Sequence, residues 1–93
     1  MLRASARHIL VDSEQECIDL KEKIESGADF SDIAKAHSNC PSKMQGGALG
    51  SFGKGQMVQE FEEVVFSADL NTVQGPVKTQ FGYHLLEVTA RTE

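Results

Sequence analysis

The stretch GGALGSFGKGQMVQEF, residues 46–61, carries the strongest local indication of how this chain folds. Its five glycines indicate turns on both sides of a short strand at about residues 48–52. The apolar residues that follow recur at helical spacing and predict a helix over about residues 58–67. Glycine-rich turns let apolar side chains project into a concavity, so the stretch predicts a hollow lined by Leu49, Phe52, Met57 and Phe61. A plain hydrophobic core would use the same residues, and the pattern alone leaves both alternatives open.

Upstream of this stretch, the pattern predicts one strand followed by helices. Alternation of apolar and polar residues indicates a strand over about Ser5–Val11. Ser13 is typical of a helix N-terminus, and Gly27 of the residue that follows a helix end. Asp29 is placed to cap a second helix, and Asn39–Met44 predicts a short helical turn.

Downstream, the last elements form a hairpin of about Val77–Thr79 and Tyr83–Arg91, joined through Gly82. The element order is β-α-α-α-β-α-β-β, which is typical of an α+β fold with helices packed on an antiparallel sheet. A chain of 93 residues has room for one core, so we expect residues 1–93 to form a single domain.

Composition excludes some classes of protein. The net charge is −5 and the basic residues are scattered, which argues against nucleic-acid binding and against docking on an anionic membrane. No segment approaches the roughly 20 apolar residues of a membrane span. The first residues lack the apolar stretch of a signal peptide, so a cytoplasmic protein is expected if Met1 is the natural start. A monomer is the default expectation.

Two histidines, His8 and His84, stand among apolar residues in the first and last predicted strands. If these strands pair side by side, both imidazoles can lie on one inward face and hydrogen-bond each other. Thr79, in the hairpin partner of the last strand, is placed to add a hydroxyl group. Two unconnected core histidines, each with its own partner, would give the same pattern.

The two cysteines occupy different contexts. Cys17 falls on the apolar stripe of the first predicted helix and is predicted to be a core residue. Cys40 precedes Pro41 at the start of a helical turn, whose positive end would favour a thiolate. The alternative for Cys40 is an inert small residue.

Zinc and protease chemistry are both disfavoured for Cys40, His8 and His84. Structural zinc sites usually present ligands in close pairs, and the sequence contains no such pair. A Cys–His nucleophile would need an oxyanion hole, for which no sequence pattern is present.

Taken together, several segments resemble the parvulin family, and the resemblance runs from about Ala6 to Val88. The segments occur in the family's order and spacing, which makes the resemblance specific. They are RHILV (7–11), GADF (27–30), CPS (40–42), GGALGSF (46–52), GQMV (55–58) and GPVKTQFGYH (75–84).

The resemblance implies a four-stranded antiparallel sheet surrounded by four helices. It also implies a peptidyl-prolyl cis/trans isomerase that rotates X–Pro bonds in polypeptide substrates and assists folding, with no cofactor and no metal. By the same resemblance, the catalytic residues are His8, Cys40, His84 and Thr79. Cys40 occupies a position that is Cys or Asp in relatives. The residues that line the proline pocket are Leu49, Met57, Phe61 and, at its edge, Phe81.

One departure from the family concerns phosphate recognition. Phospho-directed parvulins carry a long basic loop after the first strand, whereas here Val11 is followed at once by the acidic Asp12-Ser13-Glu14. We therefore predict no preference for phosphorylated Ser or Thr before proline. The main alternative to an enzyme is a non-catalytic module that holds proline-containing or unfolded segments as a chaperone; a purely structural interaction domain is a third.

Overall fold

The first and last strands of the chain pair at the centre of a single sheet in the computed structural model, which describes residues 3–92. All neighbouring strands are antiparallel, and the spatial order is β2-β1-β4-β3. The expectation about Met1 lies outside the described residues. The strands are β1 (Arg3–Val11), β2 (Ala48–Gly53), β3 (Val73–Thr79) and β4 (Gly82–Thr92).

Helices cover both faces of the sheet. Two of them begin where their caps were predicted, because Ser13 Oγ accepts the Glu16 N–H at 3.1 Å and Asp29 Oδ2 accepts the Asp32 N–H at 3.0 Å. Within residues 3–92, none of the helices has the length and apolar character needed to cross a bilayer. The helices are α1 (Glu14–Glu25), α2 (Phe30–His37), a 3₁₀ helix (Pro41–Gln45) and α3 (Gln59–Val65).

The core consists of two clusters, one on each face of the sheet. On one face α1 and α2 contribute residues such as Cys17 and Phe30, and on the other α3 contributes Phe61 and Val65. Cys17 is fully buried, as its place on the helix stripe predicted. The site described below lies on the α3 face.

The predicted α+β class, antiparallel four-stranded sheet and element order are confirmed. The third of the four predicted helices is a 3₁₀ helix of five residues. Pro41 opens it and Gly46, with φ +68°, closes it, which leaves too few residues for an α-helix. Helix α3 is shorter than the predicted span of 58–67, because Phe66 already serves as its C-cap.

Strand β3 begins at Val73, four residues before the predicted start at Val77. Gly75 and Pro76, which lie before the predicted start, belong to β3, and its register with β4 shifts between Gln74 and Val77. An edge strand with such an irregularity accommodates proline, since its missing N–H interrupts little of the ladder.

Candidate active site

Two imidazoles meet where β1 and β4 pair. Leu10 lies opposite His84 and His8 lies opposite Leu86, so both histidines project from the α3 face of the sheet. Their Nδ1 atoms are 3.1 Å apart, and the rings stack with centroids 5.3 Å apart and planes inclined by 17°. The two strands thus bring the histidines together rather than burying them at unconnected places in the core.

This histidine pair is the middle of a hydrogen-bond chain of four side chains. Thr79 Oγ1 lies 2.7 Å from His84 Nε2, and His8 Nε2 lies 3.2 Å from Ser42 Oγ. His8 and His84 are only 6% and 4% exposed, and these hydrogen bonds give each of the four ring nitrogens a partner.

The contacts of the Thr79 hydroxyl group favour one direction for the protons along this series of hydrogen bonds. Its oxygen accepts the Phe81 backbone N–H at 3.2 Å, and among its described partners only His84 Nε2 can accept its proton. In that direction His84 Nδ1–H donates to His8 Nδ1. The remaining His8 Nε2–H donates to Ser42 Oγ, so both rings are satisfied in their neutral form.

Burial keeps both rings uncharged near neutral pH. Desolvation, with a smaller contribution from His84, lowers the pKa of His8 from 6.5 to about 4. Desolvation also lowers the pKa of His84. The histidine pair therefore brings hydrogen-bonding capacity to the site without a net charge.

Phe61 connects the histidine pair to the core beneath α3. Its ring packs edge-on against His8 and His84, with centroid distances of 5.7 Å to each and interplanar angles of 77° and 86°. The side chain is 3% exposed and belongs to the buried cluster. Phe61 is consequently both a core residue and a wall of the site, the two alternatives that its sequence pattern left open.

An apolar cavity of about 540 Å³ opens beside the histidine pair. Seven of the eight predicted site residues line it, and the eighth, Thr79, lies behind His84. Phe81 is 61% exposed and forms part of the mouth. None of the lining residues is Asp, Glu, Lys or Arg; they are His8, Leu10, Asn39, Cys40, Pro41, Leu49, Gln56, Met57, Val58, Phe61, Phe81 and His84.

Cys40 reaches the cavity from the N-terminal end of the 3₁₀ helix. The buried hydroxyl oxygen of Ser38 accepts the backbone N–H groups of Leu10 at 3.1 Å and of Cys40 at 3.3 Å. The Asn39 N–H donates to the Leu10 carbonyl at 2.7 Å. These bonds hold residues 38–40 against Leu10 of β1, two residues beyond His8.

Gly47, which precedes β2, packs directly against the backbone of β1 at His8. The His8 N–H donates to the Gly47 carbonyl at 2.9 Å, and a Cβ atom at Gly47 would lie 2.3 Å from the His8 carbonyl oxygen. Glycine is required at this position because any side chain would collide with the backbone of the catalytic candidate.

Five residues of the cavity lining, and Ser42 behind His8, were not predicted from the sequence. Leu10 shares a face of β1 with His8, so the period-two pattern contained the signal for it. Ser42 contacts His8 across 34 positions, and no local pattern points to that contact. The other lining residues that were missed are Asn39, Pro41, Gln56 and Val58.

A second depression, of about 660 Å³, lies along α1 and is lined by Asp19, Glu22, Lys23, Ser26 and Ala28. It shares no lining residue with the apolar cavity and offers neither a histidine nor a thiol. In the described part of the chain, no group of three or more His, Cys, Asp or Glu side chains is placed to hold a metal ion. We therefore place the candidate active site at the apolar cavity.

Comparison with known sequences identifies the family to which this site belongs. The family model described as the PPIC-type PPIASE domain matches residues 2–92. The chain belongs to the PPIC-type peptidyl-prolyl isomerases, the parvulins. The predictions of family and of peptidyl-prolyl cis/trans isomerase activity are confirmed at this level.

The chain is similar in sequence to foldase proteins of Bacillus cereus and Geobacillus kaustophilus. It is 44% identical over 87 residues to foldase protein PrsA 4 of Bacillus cereus, covering 92% of this chain and 31% of that protein. It is 47% identical over 85 residues to foldase protein PrsA of Geobacillus kaustophilus, covering 90% and 30%. The chain thus spans about a third of the length of these relatives.

Solved parvulin structures share the fold. A crystal structure of the peptidylprolyl isomerase PrsA from Bacillus anthracis superposes with a TM-score of 0.96 at 35% identity, covering 99% of this chain and 43% of that one. The solution structure of NmPin, the parvulin of Nitrosopumilus maritimus, superposes with a TM-score of 0.86 at 35% identity. In that case 97% of this chain and 98% of the other are covered, so NmPin is a parvulin of about the same size.

Proposed function

We propose that this parvulin domain accelerates rotation about X–Pro bonds in polypeptide substrates without forming a covalent bond to them. The observation that carries the proposal is an apolar cavity in which Leu49, Met57 and Phe61 lie beside a neutral, hydrogen-bonded histidine pair. Such a cavity suits a pyrrolidine ring, which is apolar and carries no hydrogen-bond donor.

Rotation is slow because the amide bond has partial double-bond character, which gives a barrier of about 18–20 kcal/mol. Twisting removes the conjugation and returns charge from the carbonyl oxygen to the nitrogen, so the twisted amide is less dipolar than either planar isomer. An environment of low dielectric constant therefore favours the twisted state relative to the planar ones. Catalysis requires only that the enzyme bind the twisted state more tightly.

In this proposal the apolar wall holds the proline ring while the carbonyl side of the bond rotates near Cys40, His8 and His84. The histidines are neutral, so they introduce no charge that would stabilise the dipolar planar isomers. Parvulins that carry Asp at the position of Cys40 have no thiol to attack the substrate, which supports a non-covalent role for Cys40.

The surroundings of the cavity support a site without preference for phosphorylated residues. The lining includes no Lys or Arg, and the Asn39 side chain at the cavity donates to the Asp12 carboxylate at 3.2 Å. A phosphate beside the proline ring would therefore meet a carboxylate at the end of β1 rather than a cation.

The test is a protease-coupled prolyl assay at low temperature on Ala-X-Pro peptides, together with amide shift mapping of the same peptides. Acceleration of exchange, with shifts confined to the cavity residues, is expected. Binding at the cavity without acceleration would favour the rival function, a module that only holds proline-containing segments. A matched pair of Ser-Pro and phospho-Ser-Pro peptides completes the test, and faster turnover of the phosphorylated member would contradict the phosphate proposal.

We further propose that the substrates are incompletely folded polypeptides and that residues 1–93 form one autonomous, monomeric isomerase domain. The names of the foldase relatives support the first point, and the similar size of NmPin supports the second. A single cooperative unfolding transition and the elution volume of a monomer are the expected observations. The cytoplasmic location stays a prediction, which cell fractionation would test.

A further inference from the structure

The last residue of β2 and the five residues between β2 and α3, together residues 53–58, form a segment that carries Met57 into the cavity. We call this segment the pocket loop. At its middle Gly55 has φ +88°, and a Cβ atom there would meet nothing within 4 Å. The exposed Lys54 ammonium lies 5.7 Å from the Phe66 ring centroid, which is a weak contact. Packing therefore contributes little to holding the middle of the pocket loop.

Two hydrogen bonds from backbone N–H groups to side-chain oxygens hold the pocket loop instead. The Gly53 N–H donates to Gln56 Oε1 at 2.7 Å, which closes a turn within the loop. The Gly55 N–H donates to Glu62 Oε1 at 2.5 Å, which joins the loop to α3. The second bond is the stronger one, because an ionised acceptor roughly doubles the strength of a hydrogen bond.

The Glu62 carboxylate lies in the first turn of α3 but does not cap that helix. Helix α3 has no side-chain cap, because Val58 at the N-cap position offers no acceptor. The Glu62 carboxylate nevertheless contacts no amide of the first turn in the described structure, and reaches a loop amide three residues before the cap. The contact thus stabilises the loop rather than the helix end.

We propose that Glu62 is a positioning residue of the isomerase site, and this inference rests on the proposed function. Glu62 follows Phe61 in α3, and Gly55 lies two positions before Met57. Their hydrogen bond therefore joins the part of the cavity lining in the pocket loop, which carries Met57, to the part in α3, which carries Phe61. When the cavity lining is already ordered before the substrate binds, none of the binding free energy is needed to order it.

Three variants test the inference. Glu62→Ala removes the acceptor and is expected to lower kcat/KM by about five- to tenfold, mainly through KM. Glu62→Gln keeps an oxygen acceptor in the same place, and recovery of more than half of the lost activity is expected. Glu63→Ala is the matched control, since Glu63 is exposed and contacts Gln59 rather than the pocket loop; its kinetics should equal those of the unmodified chain.

The position of the Met57 methyl group distinguishes a positioning role from a merely structural one. Its methyl resonance in Glu62→Ala is expected to move towards the random-coil position and to show exchange broadening, while the thermal unfolding midpoint changes little. Unchanged KM and an unchanged Met57 resonance in Glu62→Ala would overturn the inference, and so would a loss of activity explained by unfolding alone. If the unmodified chain binds the peptide without accelerating its exchange, the proposed function fails instead, and the Met57 resonance still decides the role of Glu62.

Discussion

The Nδ1 atoms of His8 and His84 lie 3.1 Å apart, although the two residues are separated by 76 positions in the sequence. Their contact depends on the pairing of β1 with β4, which also forms the centre of the sheet. Any change that disturbs this pairing must therefore affect the candidate site and the stability of the fold together. Local changes around the histidine pair separate the two effects.

Stability should fall as the pH decreases from about 6.5 to about 4. The pKa of His8 is lowered to about 4 in the folded chain, so between these values the unfolded chain binds a proton that the folded chain does not. At about 1.4 kcal/mol per pKa unit, protonation of His8 lowers the unfolding free energy by up to roughly 3 kcal/mol. Urea unfolding at pH 7.5 and 4.5 measures the loss, which should be smaller in His8→Asn. In the control His37→Gln, which removes an exposed histidine, the full loss should persist.

Removal of the Thr79 hydroxyl group should disturb the proton arrangement of the histidine pair. Thr79→Val has nearly the same shape but leaves His84 Nε2 and the Phe81 N–H without their partner. We expect a loss of about three- to tenfold in kcat/KM and altered ¹⁵N shifts of both imidazole rings. Thr79→Ser keeps the hydroxyl group and should retain the shifts of the unmodified chain. Identical ring shifts in all three proteins would contradict the direction assigned to the hydrogen-bond chain.

Met57→Ala should reduce activity more than stability. Met57 is half-buried and lines the cavity, so we expect kcat/KM to fall about tenfold while the unfolding free energy falls by less than about 2 kcal/mol. Met44→Ala is the matched control, because Met44 is 74% exposed and lies outside the cavity lining. Equal losses of activity and stability would mean that Met57 is simply a core residue. Phe61→Ala is a poorer test, since emptying so buried a site costs about 3–5 kcal/mol by itself.

Cys40→Asp should retain measurable isomerase activity. The proposed mechanism requires a small polar group beside the rotating carbonyl and no covalent adduct, so we expect kcat/KM to stay within about tenfold of the starting value, or roughly 1.4 kcal/mol of transition-state stabilisation. The protease-coupled assay measures this directly. Activity at the background level in a correctly folded Cys40→Asp chain would indicate an obligate thiol.

The two thiols should differ in their reactivity with iodoacetamide. Cys17 is fully buried, and burial raises its pKa to about 11, so its thiolate is scarce at pH 8. Cys40 lines the open cavity, so mass spectrometry should find the label at Cys40 first, accompanied by loss of activity. An Ala-X-Pro peptide should slow the labelling by occupying the cavity. Labelling at an undiminished rate with saturating peptide would place the substrate elsewhere.

Strand patterns in the sequence predicted the core of the site because they depend on a simple physical period. Side chains alternate between the faces of a strand, so His8 and His84 share a face when β1 and β4 pair in a register that sets even-numbered residues opposite each other. The pattern could not predict the register of that pairing, which shifts between Ser5 and Ala6. Bulges of this kind insert a residue without a strong local sequence signal.

Contacts between distant segments were harder to predict. Ser42 and Glu62 act through single hydrogen bonds to His8 and Gly55, and neither bond follows from periodicity or composition. The length of β3 was also predicted wrongly, since Gly75-Pro76 normally ends a strand but lies within the edge strand here. Local patterns therefore predicted the elements and the resemblance supplied the candidate site residues, whereas the side-chain bonds that position them appear only in three dimensions.

The pairing of Arg3 with Thr92 brings the entry and exit of the described chain within one inter-strand spacing, about 5 Å. The two ends of a surface loop are often separated by a similar distance. A domain whose ends lie this close can therefore replace such a loop in a larger protein without moving the elements on either side. The close placement of the two ends thus follows from the same central strand pair that brings the histidines together.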